Sequence, residues 1–537
     1  MIWETSREQI WQALETPWDV IIIGGGILGA GIFFEASAAG LKTLLLEARD
    51  FSFGTSSRSG KFIHGGLRYL RNGQVEVTYP SVREREHLIA ELPGGIQKVS
   101  MHCLRLYTDR FSPARMQIEL AIYELMAGRL GFEKYTFPDI AKICPGLSRT
   151  HVLAMYKYYE GLMDDARLVL RIIREGVRRG GVALNYAQVL SLRRLESGKV
   201  VGVIVQDQTS SAVNRVLELD ASLVIQATGY WDIELDKKKN TQTKVRKSRG
   251  SHLLIDSKAL PIAVGLTYFH PHDQRIQFLV PWQGAILAGT TDIDEVERGE
   301  DEFYEPAITQ SEVDYLLSGI NYLFPDIKVD QHSLLSTFCG LRPLVDDGVS
   351  QNVSKVSRRH HIIEQDGLLS VIGGKLTTYR IIAHEVLKVA QKYLRLNKKG
   401  LKLKIPEFTP FRADPTIGNN MLSYEQIQRL LGSYGSDFGE FIRFCKPDDF
   451  TEIENTSTLL GEIRWAAHNE AVVHLDDLLI RRVRLGLILP DGGKQVLSFI
   501  KPIVHSELQW DENRWNFEVK NYLKRWQKSY SPSPWLS

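Results

Sequence analysis

The sequence predicts an α/β fold: a parallel-stranded nucleotide-binding domain, interrupted by an inserted α+β domain and followed by a mainly helical C-terminal domain. Three observations carry this reading. A β-branched run, Asp19-Val20-Ile21-Ile22-Ile23, enters Gly24-Gly25-Gly26-Ile27-Leu28-Gly29, which satisfies G-x-G-x-x-G. Two further strand-to-glycine elements return much later, at Ala221–Gly229 and Leu368–Lys375. Beyond the basic linker Lys398–Lys404 the chain reads as mostly helical. In outline, residues 1–17 form an extension, 18–396 the nucleotide-binding domain with its insertions, and 397–537 the helical domain. The nucleotide-binding segments are about 18–75, 160–235 and 355–396, with inserted segments at about 76–160 and 236–354.

The first eighteen residues read as a short amphipathic helix, with Ile2, Ile10 and Leu14 among its apolar positions, ended near Pro17. Glu4, Glu8 and Glu15, and the lack of a long apolar core, argue against a secretory or transit peptide. The apolar window Val20–Phe34 is too short to span a bilayer and is broken by five glycines, so it reads as strand and turn. An apolar helix follows, stopped by Gly40, and a second strand, Lys42–Leu46, ends in Glu47, 18 positions after Gly29. This is a complete Rossmann-type βαβ unit. Gly24 permits the tight turn, Gly26 lets the backbone approach a pyrophosphate, and Gly29 lets helix and strand pack closely. The helix N-terminus faces the phosphates and Glu47 takes ribose hydroxyls.

The next stretch separates NAD from FAD. Gly54–Leu70 reads GTSSRSGKFIHGGLRYL, dense in Ser, Gly and basic residues where a simple NAD domain would continue with a helix and strand. The later strand ends in Ala-Thr-Gly, placing Thr228 and Gly229 beside a cofactor. The third enters Gly373-Gly374-Lys375, after which Thr377 opens a helix running to about Leu394. A helix N-terminus there can stabilise negative charge on a reduced flavin ring. Three such elements over some 350 residues fit one FAD domain with insertions.

Composition excludes other classes. The 66 Lys+Arg against 64 Asp+Glu are too balanced for a dedicated nucleic-acid binder. Four scattered cysteines form no C-x-x-C, which fits a reducing compartment. No His/Cys cluster has metal-ligand spacing, and no Gly-x-Ser-x-Gly or Walker sequence appears.

Taken together, VIIIGGGILGAGI, GTSSRSGKFIHGGLRYL, MDDARLVL, IQATG, RGSHLLI, GTTDID, GLRPLVDD and IGGKLTTYR resemble the FAD-dependent glycerol-3-phosphate dehydrogenases, within the D-amino-acid-oxidase-like flavoprotein superfamily. EIRWAA and RRVRLGLIL resemble that family's C-terminal helical domain. HGGLRYL, DDARL and GGKLTTYR in this order are highly specific. Glu91–Asp109 matches poorly, Gly60 stands where Thr or Ser is usual, and Tyr230 where proline is usual. Lys237–Arg249 adds seven basic residues and no acid.

The resemblance implies oxidation of sn-glycerol 3-phosphate to dihydroxyacetone phosphate, a hydride leaving C2 for the flavin and the hydroxyl proton going to a base. Electrons then pass to the membrane quinone pool. By the same resemblance Arg68, Tyr69, Arg342 and Arg358 bind substrate, with Arg342 in a turn before Pro343 and Lys375 near the ring. Arginine's fork suits a phosphate dianion. His252 is the preferred base, because a neutral imidazole accepts a proton near pH 7, and His64 is its rival. Ser56, Ser57, Lys61 and His64 are expected at the flavin or its phosphates. The alternatives are a glycerol-3-phosphate oxidase using oxygen, a related oxidoreductase of another small hydroxy substrate, and a flavin-binding protein without turnover. A bacterial, cytoplasmic location with peripheral contact at the inner membrane is expected, through the tract Lys237–Arg249 or the linker Lys398–Lys404.

Overall fold

Val20, Ile21 and Ile22 are fully buried because their strand lies in the middle of a sheet covered on both faces. The computed structural model describes residues 7–129, 131–209, 215–231, 245–295, 304–345, 360–394, 402–410 and 421–532. Five parallel strands run in the order Leu368–Ile372, Val216–Gln226, Trp18–Ile23, Thr43–Leu46, Val182–Leu184. Helices Ile27–Ala38, Asp165–Arg178 and Tyr379–Ala390 pack on one face. A meander of strands Ala187–Arg194 and Val200–Asp207, with Trp11 of the short helix Arg7–Gln12 and Leu14 just beyond it, covers the other. Small residues set the spacing: a Cβ at Gly31 would come 2.7 Å from Tyr379, and one at Gly176 2.5 Å from Phe33.

A second sheet of ten strands gathers Phe62–Ile63, the long pair Ile96–Leu106 and Val152–Met163, and the strands between Val245 and Val345. Its core is continuous with the C-terminal helices: Phe338, Leu487 and Trp526 belong to one buried cluster. The poorly matching Glu91–Asp109 stretch supplies the Ile96–Leu106 strand of this sheet.

The RRVRL arginines bind the C-terminal domain to the nucleotide-binding body. Arg482 forks onto Asp50 at 2.7 and 2.8 Å, Arg481 reaches the same carboxylate at 2.6 Å, and Arg484 holds Asp164 at 2.6 Å and Asp165 at 2.5 Å. All of these arginines are buried, so each charge needs its acid.

Three local expectations change. Arg342-Pro343 is not a turn but part of strand Leu334–Val345, which among the described residues pairs only with Val245–Asp256. Proline fits because a strand paired on one side does not need every N–H. The helix does not open at Thr377: a single 3₁₀ turn, Leu376–Thr378, precedes the α-helix Tyr379–Ala390. Of the tract expected to meet the membrane, Arg246 and Arg249 lie within strand Val245–Asp256, bound to Asp294 and to Glu295 and Glu312. Lys237–Lys244 lie outside the described residues, as does Arg358.

Candidate active site

The C-terminal ends of the parallel strands converge on a cavity of about 1170 Å³, where α/β sheets place their ligands. Gly24, Gly26, Glu47, Ser56, Thr228, Gly229, Gly374 and Lys375 line it. Gly24 adopts φ +108°, and a Cβ there would lie 2.5 Å from the Ala227 carbonyl oxygen. Gly29 is not on the wall; its Cβ would lie 1.8 Å from the Gly24 oxygen, so its absence lets helix and loop meet. Gly26 is open by comparison, with only Ser56 Oγ at 3.1 Å from such a Cβ. Gly26 at the N-cap has no side chain to cap the Ile27–Ala38 helix; Ser56 Oγ accepts from the Ile27 N–H at 2.9 Å, and this N-terminus lines the space. Glu47 accepts from the N–H groups of Gly25 and Arg49 at 2.7 and 2.8 Å. Burial raises its pKa, and those two bonds oppose the rise.

A second cavity, about 1540 Å³, abuts the first along Thr55, Ser59, Pro343, Gly374, Lys375 and Leu376. It brings together His64, Arg68, Tyr69, His252, Arg342, Lys375 and Thr377, which lie up to three hundred positions apart in sequence. Lys375 Nζ sits 3.6 Å from the Tyr69 ring centroid, a cation–π contact. Thr377 Oγ1 donates to the His64 carbonyl at 3.3 Å.

Arg342 extends from its strand to donate to Thr290 Oγ1 at 3.0 Å and to the Thr291 carbonyl at 3.3 Å. It shares Asp292 with Arg68 and Arg275, at 3.5, 3.0 and 3.9 Å. Of these, Arg68 and Arg342 line the cavity, and two wall cations on one buried carboxylate leave an excess of positive charge, the arrangement a dianion needs.

His252 is 3% exposed and stacks on Phe338 at 4.8 Å. Its Nδ1 is sealed and has no hydrogen-bond partner among the described residues, so Nε2 is the nitrogen that can meet a ligand. Burial, then the Arg342 and Lys61 charges, hold its pKa well below the ordinary 6.5, so the ring is neutral at pH 7.

Two expected cofactor contacts lie elsewhere. Lys61 lines neither cavity: its ammonium is fully buried on Asp165, at 2.8 and 2.9 Å, and on the Ser57 carbonyl. Burial pushes it down to about 8, with Asp165 opposing. Ser57 is likewise buried, its hydroxyl turned to the Gly54 carbonyl at 3.4 Å. Both shape the loop rather than its surface.

Sequence reading also missed residues. Glu160 lines the second cavity and accepts from Tyr123 at 2.6 Å and Arg85 at 2.8 Å. Burial raises its pKa, opposed by Arg85. Only a charged residue within the largely apolar strand Val152–Met163 could have signalled it. Asp292 stood inside GTTDID without being singled out. Arg58, on the same wall, pairs with Glu305.

A glycine-turned nucleotide cradle opening onto a cationic pocket with a neutral histidine defines a dinucleotide-dependent oxidoreductase. The particular family follows from comparison with known proteins. Residues 19–380 match the model described as FAD dependent oxidoreductase, and 371–515 match the C-terminal domain of alpha-glycerophosphate oxidase; the chain belongs to this family of FAD-dependent oxidoreductases. It is 31% identical over 505 residues to an aerobic glycerol-3-phosphate dehydrogenase of Staphylococcus haemolyticus, covering 89% of this chain and 88% of that one. It is 28% identical over 591 residues to the alpha-glycerophosphate oxidase of Enterococcus casseliflavus, covering 94% of each. Its fold matches the Bacillus halodurans glycerol-3-phosphate dehydrogenase complexed with FAD, with a TM-score of 0.77 at 24% identity, covering 100% and 99% of the two chains. The cofactor is therefore FAD, and the glycine cradle, the helix N-terminus at Gly26-Ile27 and Glu47 fit its adenosine diphosphate half. Among the described residues no group of acids, histidines and cysteines could hold a metal. No described helix is long and apolar enough to cross a membrane.

Proposed function

We propose that the chain oxidises the C2 hydroxyl of sn-glycerol 3-phosphate, yielding dihydroxyacetone phosphate, and delivers the electrons to a membrane quinone. The observation that carries this is one cavity holding both the Arg68–Arg342 pair on Asp292 and the neutral His252, directly beside the nucleotide cradle. The names of the relatives supply the substrate that joins the two features, a phosphate with a neighbouring oxidisable hydroxyl.

Gly24, Gly26, Ser56 and Glu47 would hold the adenosine diphosphate of FAD, and Lys375 with the Leu376–Thr378 turn would flank its ring. When bound, FAD supplies a two-electron acceptor. The residues of the chain do the rest. Arg342 and Arg68 anchor the phosphate and so set the position of C2. His252 accepts the hydroxyl proton at Nε2, in the tautomer that carries hydrogen on Nδ1. Phe278 and Phe338 screen that imidazole from water. Glu160 offers a buried acceptor for a second substrate hydroxyl.

The test is an assay of flavin-loaded protein for dihydroxyacetone phosphate made from glycerol 3-phosphate, with a soluble quinone as acceptor. Absence of product while the protein is flavin-loaded would reject the reading. The oxidase reading is favoured by the C-terminal family match and the Enterococcus relative. It requires one hydrogen peroxide per turnover in air, and that ratio separates the two. A quinone acceptor requires peripheral contact with the bilayer, here assigned to the cytoplasmic face of a bacterial inner membrane. Exposed Lys402 and Lys404 of the linker remain available for it.

A further inference from the structure

A third cavity, about 1130 Å³, opens at the seam between the nucleotide-binding body and the C-terminal helices. It lies over the first turns of helix Asp165–Arg178, opposite the Gly432-Ser433 end of helix Tyr424–Tyr434. Four arginines reach it, Arg167, Arg171, Arg429 and Arg482, against two acids, Asp164 and Glu462. Three of the arginines are matched by carboxylates: Arg167 by Glu470 at 2.5 Å, Arg429 by Glu462 at 2.6 Å, Arg482 by Asp50 at 2.7 Å. Asp164 is itself taken by Arg484 at 2.6 Å.

Arg171 differs. Its guanidinium donates to the Gly432 carbonyl at 2.8 Å and lies 5.4 Å from the Phe408 ring, and no carboxylate of the described residues stands within ion-pair distance. Packing fixes it there: a Cβ at Gly435 would lie 2.2 Å from Nη2, and one at Gly95 3.2 Å from Nη1. Burial lowers its pKa to about 10, which leaves it charged at neutral pH. The same cavity is lined by the hydroxyl-bearing Ser433, Ser457 and Thr458 and by the apolar Met163, Pro281 and Trp282. An enclosed cation held by the backbone, with hydroxyls and an indole beside it, is a receptor for an anionic head on an apolar body.

We propose that this seam is a second ligand site, taking a small organic anion whose phosphate or carboxylate head sits on Arg171 and whose apolar part lies on Trp282. The site is wired to the cradle. Asp164 on its wall adjoins Asp165, which accepts from Ser59 N and Oγ at 2.9 and 2.7 Å in the loop shared by the other two cavities. This inference is independent of the substrate assigned above.

Isothermal titration of the flavin-loaded protein tests it, with phenyl phosphate and benzoate as anionic probes and benzyl alcohol as the neutral one. Arg342→Gln weakens phosphate binding in the substrate cavity, where Arg68 remains, so an event at about millimolar Kd that persists in that protein and is lost in Ser457→Trp reports the seam. Arg171→Gln should weaken that event at least tenfold, and benzyl alcohol should not reproduce it. Ser457→Trp, at an exposed position on the wall, should block the event with Arg171 intact. If Arg171→Gln fails to load flavin, Ser457→Trp decides alone. Binding of benzoate as well as phenyl phosphate assigns the site to anions in general, and binding of phenyl phosphate alone narrows it to phosphate. The proposal is overturned if neither anion binds the Arg342→Gln protein. It is equally overturned if binding survives Arg171→Gln and Ser457→Trp unchanged, or if benzyl alcohol binds as tightly.

Discussion

Arg342 Nη2 donates to a threonine hydroxyl, and its other partners are the Thr291 carbonyl and a carboxylate already shared with Arg68. Removing it therefore strips the pocket of a fixed cation without orphaning Asp292. Arg342→Ala should keep FAD and lose roughly a hundredfold or more in kcat/KM, since a charged hydrogen bond to substrate is worth about 3 kcal/mol. Steady-state kinetics beside flavin content checks this, and unchanged kinetics would place Arg342 outside the reaction. His252 makes a pH prediction. Its folded pKa lies well below 6.5, so the base form persists until pH falls well under that value. kcat/KM, which reports the substrate-free protein, should show no fall from His252 between about pH 8 and 6.5 and should fall only below. In Arg342→Gln one of the depressing charges is gone, so the acid limb should move up. An acid limb near 6.5 to 7 in the wild type would contradict the assignment. These residues were legible because they stand in dense motifs. Lys61 was not, because its partner Asp165 lies 104 positions away and turns an expected ligand contact into an internal ion pair.

At the scale of elements, the cradle was readable because strand, glycine turn, helix and acid follow one another locally. The glycines nonetheless do different work. Gly26→Val adds bulk toward Ser56 and the phosphate space, so the protein should fold, with unchanged far-ultraviolet circular dichroism, yet come out colourless. A yellow protein with full flavin would remove Gly26 from the cradle. Gly29→Val collides with the Gly24 carbonyl and should fail earlier, in folding itself. The strand carrying Arg342 was misread as a turn because proline marks turns in most contexts, while pairing on one side only cannot be seen in sequence. Asp165 shows a second kind of positioning. It binds Ser59, Lys61 and Arg484 together, so Asp165→Asn leaves the buried Lys61 without its carboxylate, while Arg484 keeps Asp164. Breaking such a pair costs about 3–5 kcal/mol. Thermal melting and flavin absorbance per protein should both drop, and two unchanged values would show that the loop holds without it.

Across the whole molecule, the division into sheets followed from where strands recur, but the joining of the C-terminal helices did not. RRVRLGLIL marked only the helical domain, and folding sets Arg481, Arg482 and Arg484 against Asp50, Asp164 and Asp165 some three to four hundred positions earlier. The same lesson revises the membrane surface, because Arg246 and Arg249 are committed to acids. If the linker docks the protein, sedimentation with anionic vesicles should weaken at high salt and when Lys402 and Lys404 become glutamine. Binding indifferent to both changes would move the contact elsewhere. The central claim is that this cavity oxidises a phosphate-bearing alcohol at the expense of bound FAD. It is tested most directly by adding sn-glycerol 3-phosphate to the yellow protein without oxygen and recording the visible spectrum. Rapid bleaching is expected with glycerol 3-phosphate and little with plain glycerol, which lacks the anchoring dianion. A fully loaded protein whose flavin stays oxidised with glycerol 3-phosphate, or bleaches equally with glycerol, would contradict it.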